Sequence, residues 1–242
     1  MTDAELAAHL AETAGQMLLQ LRATRGFSPS ELGAAGDRIA NRYLVDTIRA
    51  QRPQDGLLSE EERDNPERLS RERVWIIDPL DGTREYGAGR SDWAVHVALA
   101  IGGAASVGAV ALPGPNLVFR SDAPAPLPPA PERPRMVVSR TRPPVEAEAI
   151  AAALGAELIT LGSAGAKAMA ILRGEAEIYF HTGGQHEWDS CAPVAVAAAH
   201  GLHASRADGG PLIYNQADTL LPDLLVCRPE WAEPVIAAYC KG

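Results

Sequence analysis

Lysine is almost missing from this chain. Of 22 basic residues only Lys167 and Lys241 are lysines, and Lys241 stands one residue from the end. Arginine fills the other basic positions, a sequence bias that leaves Lys167 as the single interior ammonium. Cysteine is scarce as well: Cys191, Cys227 and Cys240. Their number is odd and no pair has knuckle spacing, which excludes a zinc knuckle and points to reduced thiols in a cytoplasmic protein. No stretch approaches the roughly 20 apolar residues of a membrane span, so no membrane partner is expected. The opening MTDAELAAHLAETAG carries early acids and no long apolar run, unlike a signal peptide. Positive charge is in deficit: 31 acids against 22 bases give a net charge of −9 and a pI of about 5.2. So acidic a chain is a poor partner for nucleic acid. An anionic ligand would need metal ions or a local basic pocket to offset that charge. Internal repeats and heptads are absent too.

The chain has 242 residues, 46% of them hydrophobic and 22% charged, which suits one large soluble domain or two lobes with a sizeable core. Leu6, Leu10, Met17, Leu18 and Leu21 predict an amphipathic helix over 3–23, and Ile39, Tyr43, Leu44 and Ile48 a second over 36–51. Strand-like runs follow at 74–77, 93–101, 106–112 and 116–120, a succession that suggests an antiparallel sheet. Residues 123–134, APAPLPPAPERP, hold six prolines and read as an extended connector. Beyond it strands at 136–139, 157–161, 176–181 and 223–227 alternate with helices at 143–154, 164–173 and 190–200. That alternation implies a parallel or mixed sheet covered on both faces. The expected organisation is an N-terminal α+β lobe over 1–122 with most of the candidate metal ligands, the connector, and a C-terminal α/β lobe over 135–242.

The most informative run is Trp75 to Thr83, WIIDPLDGT. A short buried strand ends in Asp78 and Asp81, with Pro79 between them and Gly82 after. Pro79 fixes its own backbone and pushes Asp78 into an extended shape, while Gly82 lets the chain bend or approach a ligand closely. Two held carboxylates beside open backbone N–H groups form a seat for hard cations and a phosphate. A simple Asp-Gly turn fits the same letters. Glu60, in the acidic run Ser59-Glu60-Glu61-Glu62, reads equally as a solvated loop residue. Asp189, in His-Glu-Trp-Asp before an Ala/Val-rich helix, reads equally as an N-cap.

Together these segments resemble the inositol monophosphatase superfamily, a family of magnesium-dependent, lithium-sensitive phosphatases. WIIDPLDGT is similar to its Asp-Pro-Ile/Leu-Asp-Gly-Thr signature, LSEE at 58–61 to its Glu-Glu element, GSAGAK at 162–167 to its Gly-Ser segment, and EWDSCAP at 187–193 to its Trp-Asp-x-Ala-Ala-Gly element. The order matches and the likeness spans most of the chain. The resemblance implies a layered αβαβα sandwich. It assigns Glu60, Asp78 and the Leu80 carbonyl to one Mg2+, and Asp78, Asp81 and Asp189 to a second. Thr83 matches the hydroxyl that, with Glu60, orients the attacking water, and Gly82 and Thr83 match backbone donors to the phosphate. Asp37 matches a catalytic acidic position that bears on a third, weaker metal. A homodimer follows by the same analogy.

DPLDGTREY, GSAGAKAM and DGGPLIYN resemble the bisphosphate nucleotidase branch of that family. This implies hydrolysis of the 3′-phosphate of 3′-phosphoadenosine 5′-phosphate (PAP), with its phosphosulfate PAPS as a second substrate. Inositol-1-phosphate and fructose-1,6-bisphosphate are the family's other small phosphate esters. For PAP the 5′-phosphate needs its own cation. Ser163 and Lys167, four apart at a helix start, offer a hydroxyl, a charge and free N–H groups. Arg84 is placed to face the phosphates, or else to pair with Glu85. The chain departs from the family at RGFSPSELGAAGD, which stands where a loop often covers the site, and at Cys191-Ala192-Pro193. Pro193 is expected near the first turn of its helix, where it is tolerated. Trp75, Trp93 and Trp188 read as core or support, the histidines show no ligand spacing, and Cys191 reads as a buried inert thiol.

Overall fold

The structure, a computed structural model, describes residues 1–24 and 26–241. Two helices open the chain. In α1 (Asp3–Ala23) the Thr2 hydroxyl accepts from the Glu5 N–H, and the Glu5 carboxylate accepts from the Thr2 N–H. This reciprocal box satisfies amides that a helix start leaves open. α2 (Pro29–Gln51) begins the same way on Ser28 and Glu31, with Pro29 at its first turn. It therefore starts well ahead of residue 36, and RGFSPSELGAAGD is mostly helix rather than a covering loop. The first residue of that run, Arg25, lies outside the described residues.

The first sheet holds β1 (Gly56–Ser59), β2 (Arg73–Asp81), β3 (Ala94–Ile101), β4 (Ala104–Leu112) and β5 (Leu117–Arg120), side by side in chain order. It is antiparallel as expected except at β1, which runs parallel to β2. β1 was not expected, because four residues are too few to show a period. A 3-10 turn (Pro66–Ser70) precedes β2, and a short helix α3 (Thr83–Gly87) follows it. Residues 123–134 carry no helix or strand.

The second sheet comprises β6 (Arg135–Ser139), β7 (Glu157–Leu161), β8 (Ile178–His186), β9 (His203–Ser205) and β10 (Leu220–Cys227), ordered β7-β6-β8-β10-β9. β7 and β8 lie parallel to β6, while β10 is antiparallel to β8 and β9, so the sheet is mixed. Its helices are α4 (Ala147–Leu154), α5 (Ala164–Leu172), α6 (Glu187–Ala199) and α7 (Pro229–Lys241). α4 begins at Ala147 and not at 143, because the Pro143-Pro144 pair disfavours helical backbone before it. α6 begins at Glu187, which puts Pro193 inside the helix. Pro193 has no N–H to give the Asp189 carbonyl four residues back.

Strand alternation sorts the side chains into three cores. Trp75 and Ile77 of β2 pack with Leu6, Leu10, Leu18, Leu44 and Ile48 of α1 and α2. Their neighbours Val74 and Ile76 point the other way, into a central core with Met169, Ile171, Cys191 and Val194 of α5 and α6. From the second sheet Val137 and Tyr179 join that central core. Met136, Val138 and Phe180 face outward to Ile150 of α4 and Val235 of α7. The layers thus run α1/α2, first sheet, α5/α6, second sheet, α4/α7, the αβαβα sandwich anticipated above. Trp75 and Trp93 are fully buried, and Trp188 packs against the central core.

Candidate active site

The site lies where β2 ends against the first turns of α5 and α6. Between Asp78 and Asp81 the β2–β3 register shifts, and the Leu80 N–H turns back to donate to Asp78 Oδ1 at 3.0 Å. Gly82 then takes φ +90°, a left-handed backbone that a side chain would resist, with Ser163 and Trp93 packed against it. Thr83 opens α3, and its hydroxyl lies 3.2 Å from the Leu80 carbonyl and 3.3 Å from Asp37 Oδ1. Asp37 is a buried residue of α2. Burial, then the charge of Glu61, raises its carboxyl to about 7.

Asp78, Asp81 and Asp189 come together, each offering an oxygen within 4.8 Å of the others. Glu60 follows β1 and lines the same cleft as Asp81 and Asp189. Burial, then the charge of Asp189, pushes the Glu60 carboxyl up to about 7. Asp78 is raised by burial and by Glu60 and Asp81, and Asp189 by burial and by Asp81. The chemistry of this set fits a hard divalent cation: oxygen donors only, crowded, and short of positive charge.

Asp81 is the exception. Burial works against its charge, but His96, Lys167 and the Gly165 N–H outweigh burial and hold it down at about 2. Its Oδ1 accepts from the Ala164 N–H at 3.1 Å and its Oδ2 from the Gly165 N–H at 2.7 Å. His96, fully buried on β3, places Nε2 3.2 Å from Asp81 Oδ2, and its Nδ1 lies 3.0 Å from the Trp188 carbonyl. Nothing in the chain's spacing singled out His96, whose partners lie on β2 and α6. Asp189 is not the N-cap of α6. That position is His186, whose N–H donates to Asp189 Oδ2 at 2.6 Å.

The same cleft also carries basic side chains. Lys167, Arg142 and Arg84 line it together with Tyr179, His181 and Gln185, around a volume of about 370 Å³. Lys167 is buried, its Nζ donating to the carbonyls of Gly162 and of Ser163, the latter at 2.8 Å, below the Tyr179 ring. Burial lowers its pKa to about 8. Ser163 caps α5, accepting from the Ala166 N–H at 2.9 Å. The N–H groups expected to be free at this helix start are not: Asp81 takes two, Ser163 Oγ one, and the Ser163 carbonyl takes that of Lys167. Arg84 is exposed on α3, and Glu85 pairs with Arg140 rather than with it. Sequence reasoning also missed Arg142, Tyr179, His181 and Gln185. Tyr179 and His181, two apart, had to share a strand face, but only the packed sheets show which face meets the cleft.

The inositol monophosphatase family model matches residues 3–125 and 130–241. Over an alignment of 256 residues the chain is 52% identical to the 3′-phosphoadenosine 5′-phosphate phosphatase of Mycobacterium leprae, covering 100% of this chain and 94% of that protein. It is 29% identical to the 3′(2′),5′-bisphosphate nucleotidase CysQ of Escherichia coli, covering 77% of this chain and 81% of the relative. The crystal structure of CysQ from Bacteroides thetaiotaomicron superposes with a TM-score of 0.82 at 25% identity, covering 93% of this chain and 97% of that one. A family match through both halves, a relative at this identity and the shared five-layer fold agree: the chain belongs to the inositol monophosphatase family.

Proposed function

We propose that the protein is a Mg2+-dependent phosphatase that removes the 3′-phosphate of PAP, giving AMP and phosphate, and that acts on PAPS as well. The observation that carries this reading is that one cleft is lined by charges of both signs. Asp81, Asp189 and Glu60 line it together with Lys167, Arg142 and Arg84. The acids would hold metal for a phosphoryl group, and the basic side chains suit a second anion of the same molecule. An inositol monophosphate has only one phosphate and leaves those basic side chains unanswered. The names of the mycobacterial and enterobacterial relatives support the same substrate class.

Glu60, Asp78 and the Leu80 carbonyl would hold one ion, and Asp78, Asp81 and Asp189 a second. When bound, such ions lower the pKa of a coordinated water and neutralise phosphoryl oxygens. The chain's own part is positioning, the main lever on so inert an ester. Thr83 and Glu60 orient the attacking water, and Asp37 holds the Thr83 hydroxyl in place. Gly82 and Thr83 offer backbone N–H groups to the phosphate. Among the described residues no helix is long and apolar enough to cross a membrane.

Phosphate release from PAP, PAPS, inositol-1-phosphate and fructose-1,6-bisphosphate, with Mg2+ and with added Li+, tests the reading. PAP is expected to be the best substrate, with Li+ inhibiting. A preference for inositol-1-phosphate would refute the substrate assignment, and no release from any of them would refute the phosphatase.

A further inference from the structure

Two buried polar atoms on the cleft wall have no hydrogen-bond partner: Nδ1 of His181 and the side-chain nitrogen of Gln185. Both residues are more than nine-tenths buried, at 6% and 7% exposure. They flank Gly183 and Gly184 in β8, where left-handed backbone accompanies a register shift against β10. His181 Nε2 stands 3.1 Å from the Gly184 carbonyl. A carbonyl only accepts, so Nε2 carries the ring proton and Nδ1 is left as a bare acceptor. Burial, with Lys167 and Arg142 nearby, lowers the imidazole pKa and keeps the ring neutral. The lining therefore holds an acceptor and an amide donor, both dehydrated and both unmet, which a ligand in the cleft would meet once the two side chains turn toward it. Leaving such groups unpaired is expensive, so a ligand that supplies both complements is selected over one that does not.

We propose that His181 and Gln185 read the nucleobase of the substrate, Nδ1 accepting from an exocyclic amine and the Gln185 amide donating to the adjacent ring nitrogen. That is the pattern on the pairing edge of a 6-aminopurine. A 6-oxopurine reverses both: its oxygen meets the Nδ1 lone pair, and its ring N–H meets the amide N–H. A phosphate does not fit the pair, since its oxygens offer a bare Nδ1 nothing. The groups suited to a second anion are Lys167, Arg142 and Arg84. The inference rests on the nucleotide reading above and adds the base to it.

The test is kcat/KM for four compounds: PAP, its inosine counterpart, and the two 3′-monophosphates that lack the 5′-phosphate. The wild type is expected to favour the aminopurine by roughly tenfold to a hundredfold, the worth of a bidentate base contact. The preference shrinks toward one in Gln185→Leu and in His181→Phe, and shifts toward the oxopurine in Gln185→Glu. It does so with or without the 5′-phosphate. Calorimetric binding of AMP against IMP to wild type and Gln185→Leu gives the same comparison without turnover, and a thermal melt reports whether each variant folds. An unchanged preference in folded variants overturns the proposal. So does a loss confined to the compounds with two phosphates, which would make the pair a phosphate contact. If the wild type cleaves none of the four, the nucleotide reading itself falls.

Discussion

His96 Nε2 stands 3.2 Å from Asp81 Oδ2 at a point that solvent does not reach. The other ring nitrogen faces the carbonyl of Trp188, the residue before Asp189. One imidazole thus ties a carboxylate at the end of β2 to the first turn of α6, and so sets how far apart two of the three clustered aspartates stand. Groups that orient metal ligands in this way are typically worth about 10–100-fold in metal affinity or activity. His96→Leu is expected to lose that much, read as a higher Mg2+ requirement in a titration of turnover and as weaker binding by calorimetry. His96→Asn, which keeps a polar group, is expected to recover part of it.

Gly165 has no room for a side chain. A Cβ there would lie 2.2 Å from His96 Nε2 and 2.9 Å from the Ala94 Cβ. Gly165→Ala must displace the ring that supports Asp81, and overpacking of this kind costs about 1–3 kcal/mol. A lower urea midpoint with unchanged slope, together with reduced Mg2+ affinity, is the expected result.

Asp78→Asn separates stability from function. Burial, Glu60 and Asp81 all oppose the Asp78 charge. Because its folded pKa lies above the ordinary value, ionised Asp78 weakens the metal-free fold at neutral pH. The variant is expected to melt a few degrees higher than wild type without metal. It should also lose nearly all turnover and most of the stabilisation that added Mg2+ gives the wild type, both read in thermal melts and phosphate release.

Asp3 supplies the pH dependence. Burial opposes its charge, but Arg52 and Arg73 lower its pKa below the ordinary 3.8 through contacts of 2.7 and 2.9 Å. A carboxyl with a depressed folded pKa adds stability above its unfolded pKa and loses it as pH falls through the folded one. Asp3→Asn is therefore expected to cost about 1 kcal/mol at neutral pH. The difference from wild type should begin to close near pH 4 and be gone at lower pH, as followed by chemical denaturation across pH.

The fold was legible where local signals were strong. Long apolar spacings marked α1 and most of α2, and the alternation of strands and helices after residue 135 marked the mixed sheet. α2 starts earlier than the apolar spacing from Ile39 suggests: Ile39, expected inward, is exposed, the helix buries Gly33, Gly36 and Ala40 instead, and its true start is written in the Ser28–Glu31 box and Pro29. β1 escaped because its pairing with β2 spans an intervening turn. The candidate acids stood out because strand, proline and glycine fall together in one run. His96, Arg142, His181 and Gln185 did not, since each gains its role from a neighbour far along the chain. The free N–H groups expected at α5 are taken by Asp81, a pairing no local reading of GSAGAK contains.

Asp78 and Asp81 precede the Pro-rich connector, and Asp189 follows it. The acidic cluster therefore does not exist in either half of the chain, and α6 must be made and docked onto the first sheet before three carboxylates face one another. On the proposed reading, a chain still being synthesised is expected to stay inactive until α6 has docked, so that activity itself would report assembly of the two halves.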